Sequence, residues 1–170
     1  MNTVPSRKDI LTDKLMQAAM AARELYRRGK AYGPDANISF MLDGRVYITR
    51  RDCPLRRTGT KDFACVTASG KPMNNVPACD ELPLHLEMYR KHSDVGAVIH
   101  AHSTYATIWS CLGEDIPAHT AHLQNWADKI YLLENHGAII GGKDVMDALW
   151  GLCQLEESAK LAWIFREGTL

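Results

Sequence analysis

Asp94-Val95-Gly96-Ala97-Val98-Ile99-His100-Ala101-His102-Ser103 decides the reading of this 170-residue chain. The run is short, apolar and rich in β-branched residues, and it ends in His-Ala-His, so it reads as a buried strand. Side chains on a strand alternate between faces, which sends His100 and His102 to the same one. Two imidazoles at i and i+2 on one face can reach a single metal ion. Two polar residues at a strand end, hydrogen-bonded to their neighbours, would give the same local pattern, so the flanking sequence has to separate the two readings.

Upstream, a helix is expected from about Ser6 to Arg28, with Leu11, Leu15, Ala18, Ala22 and Leu25 on one apolar face. Ser6 and Asp9 form a capping pair, and Gly29 stops the helix. Tyr32 to Asn37 is a turn-rich loop. Ile38–Leu42 and Arg45–Thr49 flank Asp43-Gly44, a strong hairpin signal. Arg45, Arg50, Arg51, Arg56, Arg57 and Lys61 then outnumber Asp52 and Asp62, making either a solvated loop or an anion-binding rim suited to a phosphate or carboxylate. Phe63–Val66 is a short strand. Thr67 to Pro72 is a loop of small residues and hydrogen-bond donors, without the spacing of a Walker P-loop, and Ser69 and Lys71 are candidates to face a substrate.

A helix begins near Asp80, with Leu82, His85 or Leu86, and Tyr89 as its buried stripe and acidic residues at its start. Glu81 there is a surface capping acid or a catalytic one, and His85 a satisfied helix histidine. Past His102, Ser103 and Thr104 can cap a helix running to about Leu112. His119, His122 and Trp126 follow. Lys129–Leu133 reads as another buried strand, and it meets a second, Ala138–Gly142, at Glu134-Asn135-His136-Gly137. That corner exposes His136, and Gly137 permits a backbone conformation other residues resist. Val145, Ala148 or Leu149, Leu152, Leu155, Ala159 and Ala162 mark a final long amphipathic helix ending near Gly168. Trp109, Trp150 and Trp163 fall on helical apolar stripes, as core or interface residues.

Composition narrows the function classes. The chain is long enough for one domain, here residues 1–170, with a sizeable core. Twenty basic residues balance twenty acidic ones, which gives no case for nucleic acid or an anionic membrane. No apolar run approaches the ~20 residues that span a bilayer, and the first residues have no signal-peptide core. The five cysteines are scattered, with no Cys-x-x-Cys, so neither a disulfide framework nor a zinc knuckle is indicated and the reducing cytoplasm is the expected location.

Three histidines from two strand ends and one nearby glutamate suit a catalytic zinc site, because three protein ligands leave a coordination position open. Open zinc can act as a Lewis acid on a hydroxy-carbonyl compound and stabilise an enediolate. Glu81 would move the proton, or sit as a weak fourth ligand that substrate displaces. His119 or His122 is an alternative third ligand to His136.

Ala36-Asn37-Ile38-Ser39, Glu81-Leu82-Pro83-Leu84-His85, Asp94 to Ser103 and Leu133-Glu134-Asn135-His136-Gly137 resemble, in order, the signature segments of the class II aldolase/adducin family. The resemblance runs from the first helix to the last. It implies a three-layer α/β/α sandwich around a mostly antiparallel sheet and a homotetramer with active sites at subunit interfaces. It implies one Zn2+ per subunit on His100, His102 and His136, with Glu81 as acid/base. It also implies Asn37 as a substrate-phosphate ligand. The activity implied is a zinc-dependent, aldolase-type lyase acting on a small hydroxy-carbonyl or sugar-phosphate substrate through a metal-bound enediolate. Epimerase, decarboxylase or dehydratase chemistry on the same site, and a non-catalytic adducin-like scaffold, are the alternatives within the family.

The chain departs from the aldolase pattern in its phosphate ligands. Arg51-Asp52 stands where the aldolases carry Thr-Gly, and Cys79-Asp80 where they carry Ser-Ser. An aspartate beside a phosphate repels it, so phosphate recognition would pass to the arginines or be lost. Arg51, Asp80, Ser69 and Gly70 are the further candidate substrate-binding residues. The stretch from His102 to His136 is shorter than in those aldolases and has Ala121 near the place of their proton-donating tyrosine, a role that His119, His122 or Trp126 would partly fill. Their mobile C-terminal tail is expected to be missing.

Overall fold

Ser6 opens the first helix, α1 (Arg7–Arg27), with a reciprocal capping box: its hydroxyl accepts from the Asp9 amide while the Asp9 carboxylate takes the Ser6 amide. The computed structural model describes residues 4–31, 36–117 and 121–168. The expected apolar stripe of α1 is buried at Ala18, Ala22 and Leu25, and Gly29 stops the helix at φ 63°. β1 (Asn37–Leu42) and β2 (Arg45–Thr49) pair across Asp43-Gly44, whose φ values of 51° and 70° are those a tight primed hairpin turn requires. β3 (Phe63–Thr67) adds to the free side of β2.

α2 (Leu82–Lys91) leads to β4 (Ala97–Ala101), the strand that carries His-Ala-His. α3 (Thr104–Leu112) follows directly, then a 3-10 helix over Ala121–Lys129, the hairpin of β5 (Ile130–Leu133) and β6 (Gly137–Gly142), and α4 (Val145–Glu167). The strands form one sheet in the order β3-β2-β1-β4-β6-β5. Each neighbouring pair is antiparallel, so the sheet is antiparallel throughout its described strands.

Alternation along β4 divides the core. Ala97, Ile99 and Ala101 join Leu25, Phe40, Ile140, Leu152 and Leu155 on the face covered by α1, α3 and α4. Val98 faces the other way, with Val46, Met88, Tyr89 and Ile139, under α2. The result is the expected α/β/α sandwich. The apolar face read for α4 is buried along its length, from Val145 to Ala162. Trp109 is core, its indole N–H donating to Ala159 O at 3.0 Å, whereas Trp150 is 57% exposed.

The start of α3 departs from the sequence reading. Ser103 is the N-cap residue but makes no capping hydrogen bond. The Glu156 carboxylate, buried in the middle of α4, accepts from Tyr105 N at 3.1 Å and Ala106 N at 3.0 Å, with Lys30 Nζ 3.5 Å away. A negative charge at a helix N-terminus satisfies free amides and complements the helix dipole. Glu156 thus pins the chain immediately after His102.

Candidate metal centre

The site is built by register. In the antiparallel β1–β4 pair Asn37 lies opposite His100 and Ser39 opposite Val98, so all four project to the α2 side of the sheet. β6 pairs Ala138 with Ala101, which brings the preceding corner over the end of β4. Asn135 at φ 54° and Gly137 at φ 138° make that corner, and a Cβ at 137 would stand 2.7 Å from Ala101 O and 3.3 Å from His102 Cα. Only glycine lets β6 begin this close to β4. Glu81 sits at the N-terminus of α2 but, contrary to the capping role open to it, makes no side-chain cap; its carboxylate turns under the sheet toward the histidines.

Nε2 of His100 is 3.0 Å from Nε2 of His102 and 3.2 Å from Glu81 Oε1, and His136 Nε2 is 2.7 Å from the same carboxylate oxygen. One ligand atom from each of Glu81, His100, His102 and His136 falls within 4.8 Å of all the others. His100 Nδ1–H donates to Ala138 O at 3.0 Å. That bond assigns the proton to Nδ1 and leaves the Nε2 lone pair aimed into the cluster. Lone pairs and a carboxylate converging on one point repel unless protons on His102 and His136, or a cation in their place, lie among them. Three imidazole nitrogens and one carboxylate oxygen suit a borderline ion such as zinc rather than calcium or magnesium, which take oxygen ligands. His100 is fully buried while the His136 side chain is 44% exposed, so the cluster is walled by protein on one side and open on the other.

A chain of hydrogen bonds stands behind Glu81. Asn37 Nδ2 donates to Glu81 Oε2; Asn37 Oδ1 is 2.5 Å from His85 Nε2; His85 Nδ1 is 2.7 Å from Ser39 Oγ, itself 2.7 Å from Tyr89 Oη. Burial alone would raise the Glu81 carboxyl, but its contacts with His100, His136 and Asn37 outweigh it and hold the group well below the usual carboxylate range. His85 is fully buried, and that desolvation pushes its imidazole down to about 3. Burial likewise pushes the neighbouring Cys79 thiol up to about 12, leaving it protonated and inert.

The His85 shift has a consequence for stability. Between its ordinary value of 6.5 and about 3 the unfolded chain binds a proton there and the folded one does not. Its share of stability is therefore intact above the unfolded value and falls as pH drops through that window, with a slope of up to about 1.4 kcal/mol per pH unit. Urea unfolding of the metal-free protein between neutral pH and the acid end of the window is expected to show this slope, reduced in His85→Gln.

The structure joins two other sequence candidates: Arg51 Nη2 pairs with Asp80 Oδ1 at 2.5 Å, with side chains 55% and 74% exposed, at the rim beside Glu81. Arg50 is held by Asp62 at 2.8 Å. Ser69 Oγ shares a hydrogen bond with Thr67 Oγ1 at 2.9 Å, and a Cβ on Gly70 would face Leu86 of α2 at 3.1 Å. Asn37 is 4% exposed, both ends of its amide engaged as described. His119 and the side chain of His122, the alternative ligands, lie outside the described residues. All five cysteines are free thiols.

Sequence reasoning missed Ser39, Tyr89 and Glu156. A signal for the first two was present. Asn37 and Ser39 are i, i+2 on one strand face, and Glu81, His85 and Tyr89 are i, i+4, i+8 along one helix face. Two lines of polar residues at matching periods are what a buried hydrogen-bonded row between strand and helix requires. Glu156 had no local signal.

An antiparallel sheet with helices on both faces carries, at its central strand end, a three-histidine, one-glutamate cluster that could hold a metal ion: an α/β protein with a candidate metal site. Residues 16–128 match the family model described as Class II Aldolase and Adducin N-terminal domain, and the chain belongs to that family. It is 29% identical over 185 residues to 3-oxo-tetronate 4-phosphate decarboxylase of Haemophilus influenzae, covering 89% of this chain and 88% of that one. It is 30% identical over 161 residues to L-fuculose phosphate aldolase of Methanococcus vannielii, covering 81% and 88%. A solved L-fuculose 1-phosphate aldolase superposes with a TM-score of 0.83 over 92% of this chain and 87% of its own, at 23% identity, a likeness of fold. Among the described residues no helix is long and apolar enough to cross a membrane.

Proposed function

We propose that the chain is a zinc-dependent lyase of the aldolase type, acting on a small hydroxy-carbonyl or sugar-phosphate compound. The observation that carries this reading is the convergence of three histidine Nε2 atoms and Glu81 Oε1 on one partly open point. His100, His102 and His136 would hold one Zn2+ per chain. Bound there, zinc supplies Lewis acidity toward the oxygens of a hydroxy-carbonyl group. Glu81 then moves the proton: Oε1 faces the substrate side, while Oε2 is held by Asn37. Arg51, its charge offset by Asp80 until a substrate competes for it, is the contact we assign to a phosphate or carboxylate, with Ser69 and Gly70 as further candidate substrate contacts. We place the protein in the cytoplasm as a homotetramer, with a neighbouring subunit completing the open side.

Decarboxylation is the second reading, favoured by the 29% identity to the 3-oxo-tetronate 4-phosphate decarboxylase. Both reactions generate the same kind of electron-rich carbon, and they differ in the fragment that leaves.

The test begins with metal content. Elemental mass spectrometry on protein purified without added metal is expected to give about one zinc per chain. No bound metal, and none taken up on adding zinc, sinks the proposal. Keto-sugar phosphates and 3-oxo acid phosphates are then assayed for released aldehyde and for released CO2. Glu81→Gln is expected to lower turnover by about 10²–10⁴-fold, the range of a lost general acid/base. Zinc retained with no turnover on either panel would favour the non-catalytic scaffold.

A further inference from the structure

The hydrogen-bonded row behind Glu81 has one internally consistent polarity. Glu81 Oε2 accepts from Asn37, so the amide presents Nδ2 to the carboxylate and Oδ1 to His85. Oδ1 only accepts, which makes His85 Nε2 the donor. A neutral imidazole carries one N–H, so Nδ1 must accept, and Ser39 Oγ–H donates to it across 2.7 Å. Ser39 then accepts from Tyr89 Oη–H, also at 2.7 Å. Four dipoles point the same way and end on the carboxylate. In a buried setting such a row is mutually polarising, and each member resists rotation of the next.

Burial makes the arrangement stiff. Ser39 and His85 are fully buried, Asn37 is 4% exposed and Tyr89 9%. His85 sits one turn along α2 from Glu81, and Ser39 two residues along β1 from Asn37, so the row bolts helix to strand at the site.

We infer that His85 is a positioning residue for Glu81: acting through Asn37, it holds Oε2 fixed so that Oε1 alone faces the three histidines. This rests on the zinc-centre reading above. It gives Asn37 a task, orienting the acid/base carboxylate, distinct from the phosphate contact that resemblance implies for it.

The polarity is tested first without metal. Long-range 1H–15N NMR of histidine-labelled, metal-free protein reads each tautomer. His85 is expected as the Nε2–H form; the Nδ1–H form overturns the proposal, whatever the fate of the zinc reading. The second test uses zinc and Co2+ as probes. His85→Leu is expected to bind zinc at least tenfold more weakly, the usual loss when a ligand's hydrogen-bonded support is removed. Its cobalt complex should show an altered visible absorption spectrum, as an unanchored carboxylate changes its contact with the ion. His85→Gln, which restores a donor toward Asn37, is expected to recover most of the affinity and the spectrum. In an Asn37→Ala background the His85→Leu change is expected to add nothing. If His85→Leu does not fold, Ser39→Ala replaces it: the imidazole loses the donor that sets its tautomer, and the cobalt spectrum should shift the same way. Wild-type spectra and affinities in these variants, or additive losses with Asn37→Ala, overturn the inference. A wild-type protein that takes up no metal overturns the zinc reading, and the tautomer result then decides the row alone.

Discussion

His100→Ala is expected to lower zinc affinity by on the order of 10²–10³-fold. Structural zinc sites bind with about 10–16 kcal/mol at neutral pH. Shared over the three histidines and Glu81 as a weak fourth ligand, one is responsible for roughly 2.5–4 kcal/mol, and each 1.4 kcal/mol is tenfold. His100 is the ligand whose loss should be felt most. It is the only one of the cluster that is fully buried, and its Nδ1–H bond to Ala138 O fixes it before any ion arrives. Competition with a chelating dye measures the loss. Retention of wild-type affinity would mean that the ion, if bound, sits elsewhere. The same measurement on His136→Ala tests the choice of the Asn-His-Gly corner for the third ligand, since full zinc occupancy there would pass the role to His119 or His122.

Gly137→Ala is expected to cost about 2–4 kcal/mol of stability and at least tenfold in zinc affinity. The residue stands at φ 138°, which side-chain-bearing residues rarely adopt, and an added methyl would meet Ala101 O at 2.7 Å and His102 Cα at 3.3 Å. Both neighbours are backbone atoms of the strand end that aims His102, so the clash cannot be relieved by turning a flexible side chain. β6 must move away from β4, taking His136 with it. Gly44→Ala is the control. It also has a positive φ, 70°, but meets nothing within 4 Å, so it carries only the conformational penalty of about 1 kcal/mol and leaves zinc affinity unchanged. Urea unfolding of the metal-free variants separates the two costs. Equal effects for both would show that strain, not the contact with β4, governs the Gly137 corner.

These two residues show which parts of the protein short-range pattern could reveal. The strand ending at His102 announced itself by a run of apolar β-branched residues, and alternation put His100 and His102 on one face. Asp43-Gly44 marked the first hairpin, and its two positive φ values follow from those residue types. Asn135-His136-Gly137 marked the second. The face of α4 was readable because 3.6-residue periodicity is a property of the chain itself. Each of these signals relates residues a few positions apart, and the backbone imposes the period.

The orientation of Glu81 was of another kind. A glutamate at a helix start caps that helix in most settings, and the polar line of Glu81, His85 and Tyr89 along α2 does not by itself say what it meets. It turns inward because β1 lies beside β4, and that neighbour relation sets Asn37 opposite His100 and within reach of the carboxylate. Glu156 is a sharper case: it caps a helix whose first residues lie 51 and 50 positions before it, in place of the adjacent Ser103. The sequence by itself determined the elements, their buried faces, the histidines that share a strand end and, through resemblance, the family. Only the tertiary structure decided which polar groups meet: sheet order and register pair residues far apart in the chain, and a buried carboxylate takes the hydrogen bonds that packing brings to it rather than those nearest in sequence.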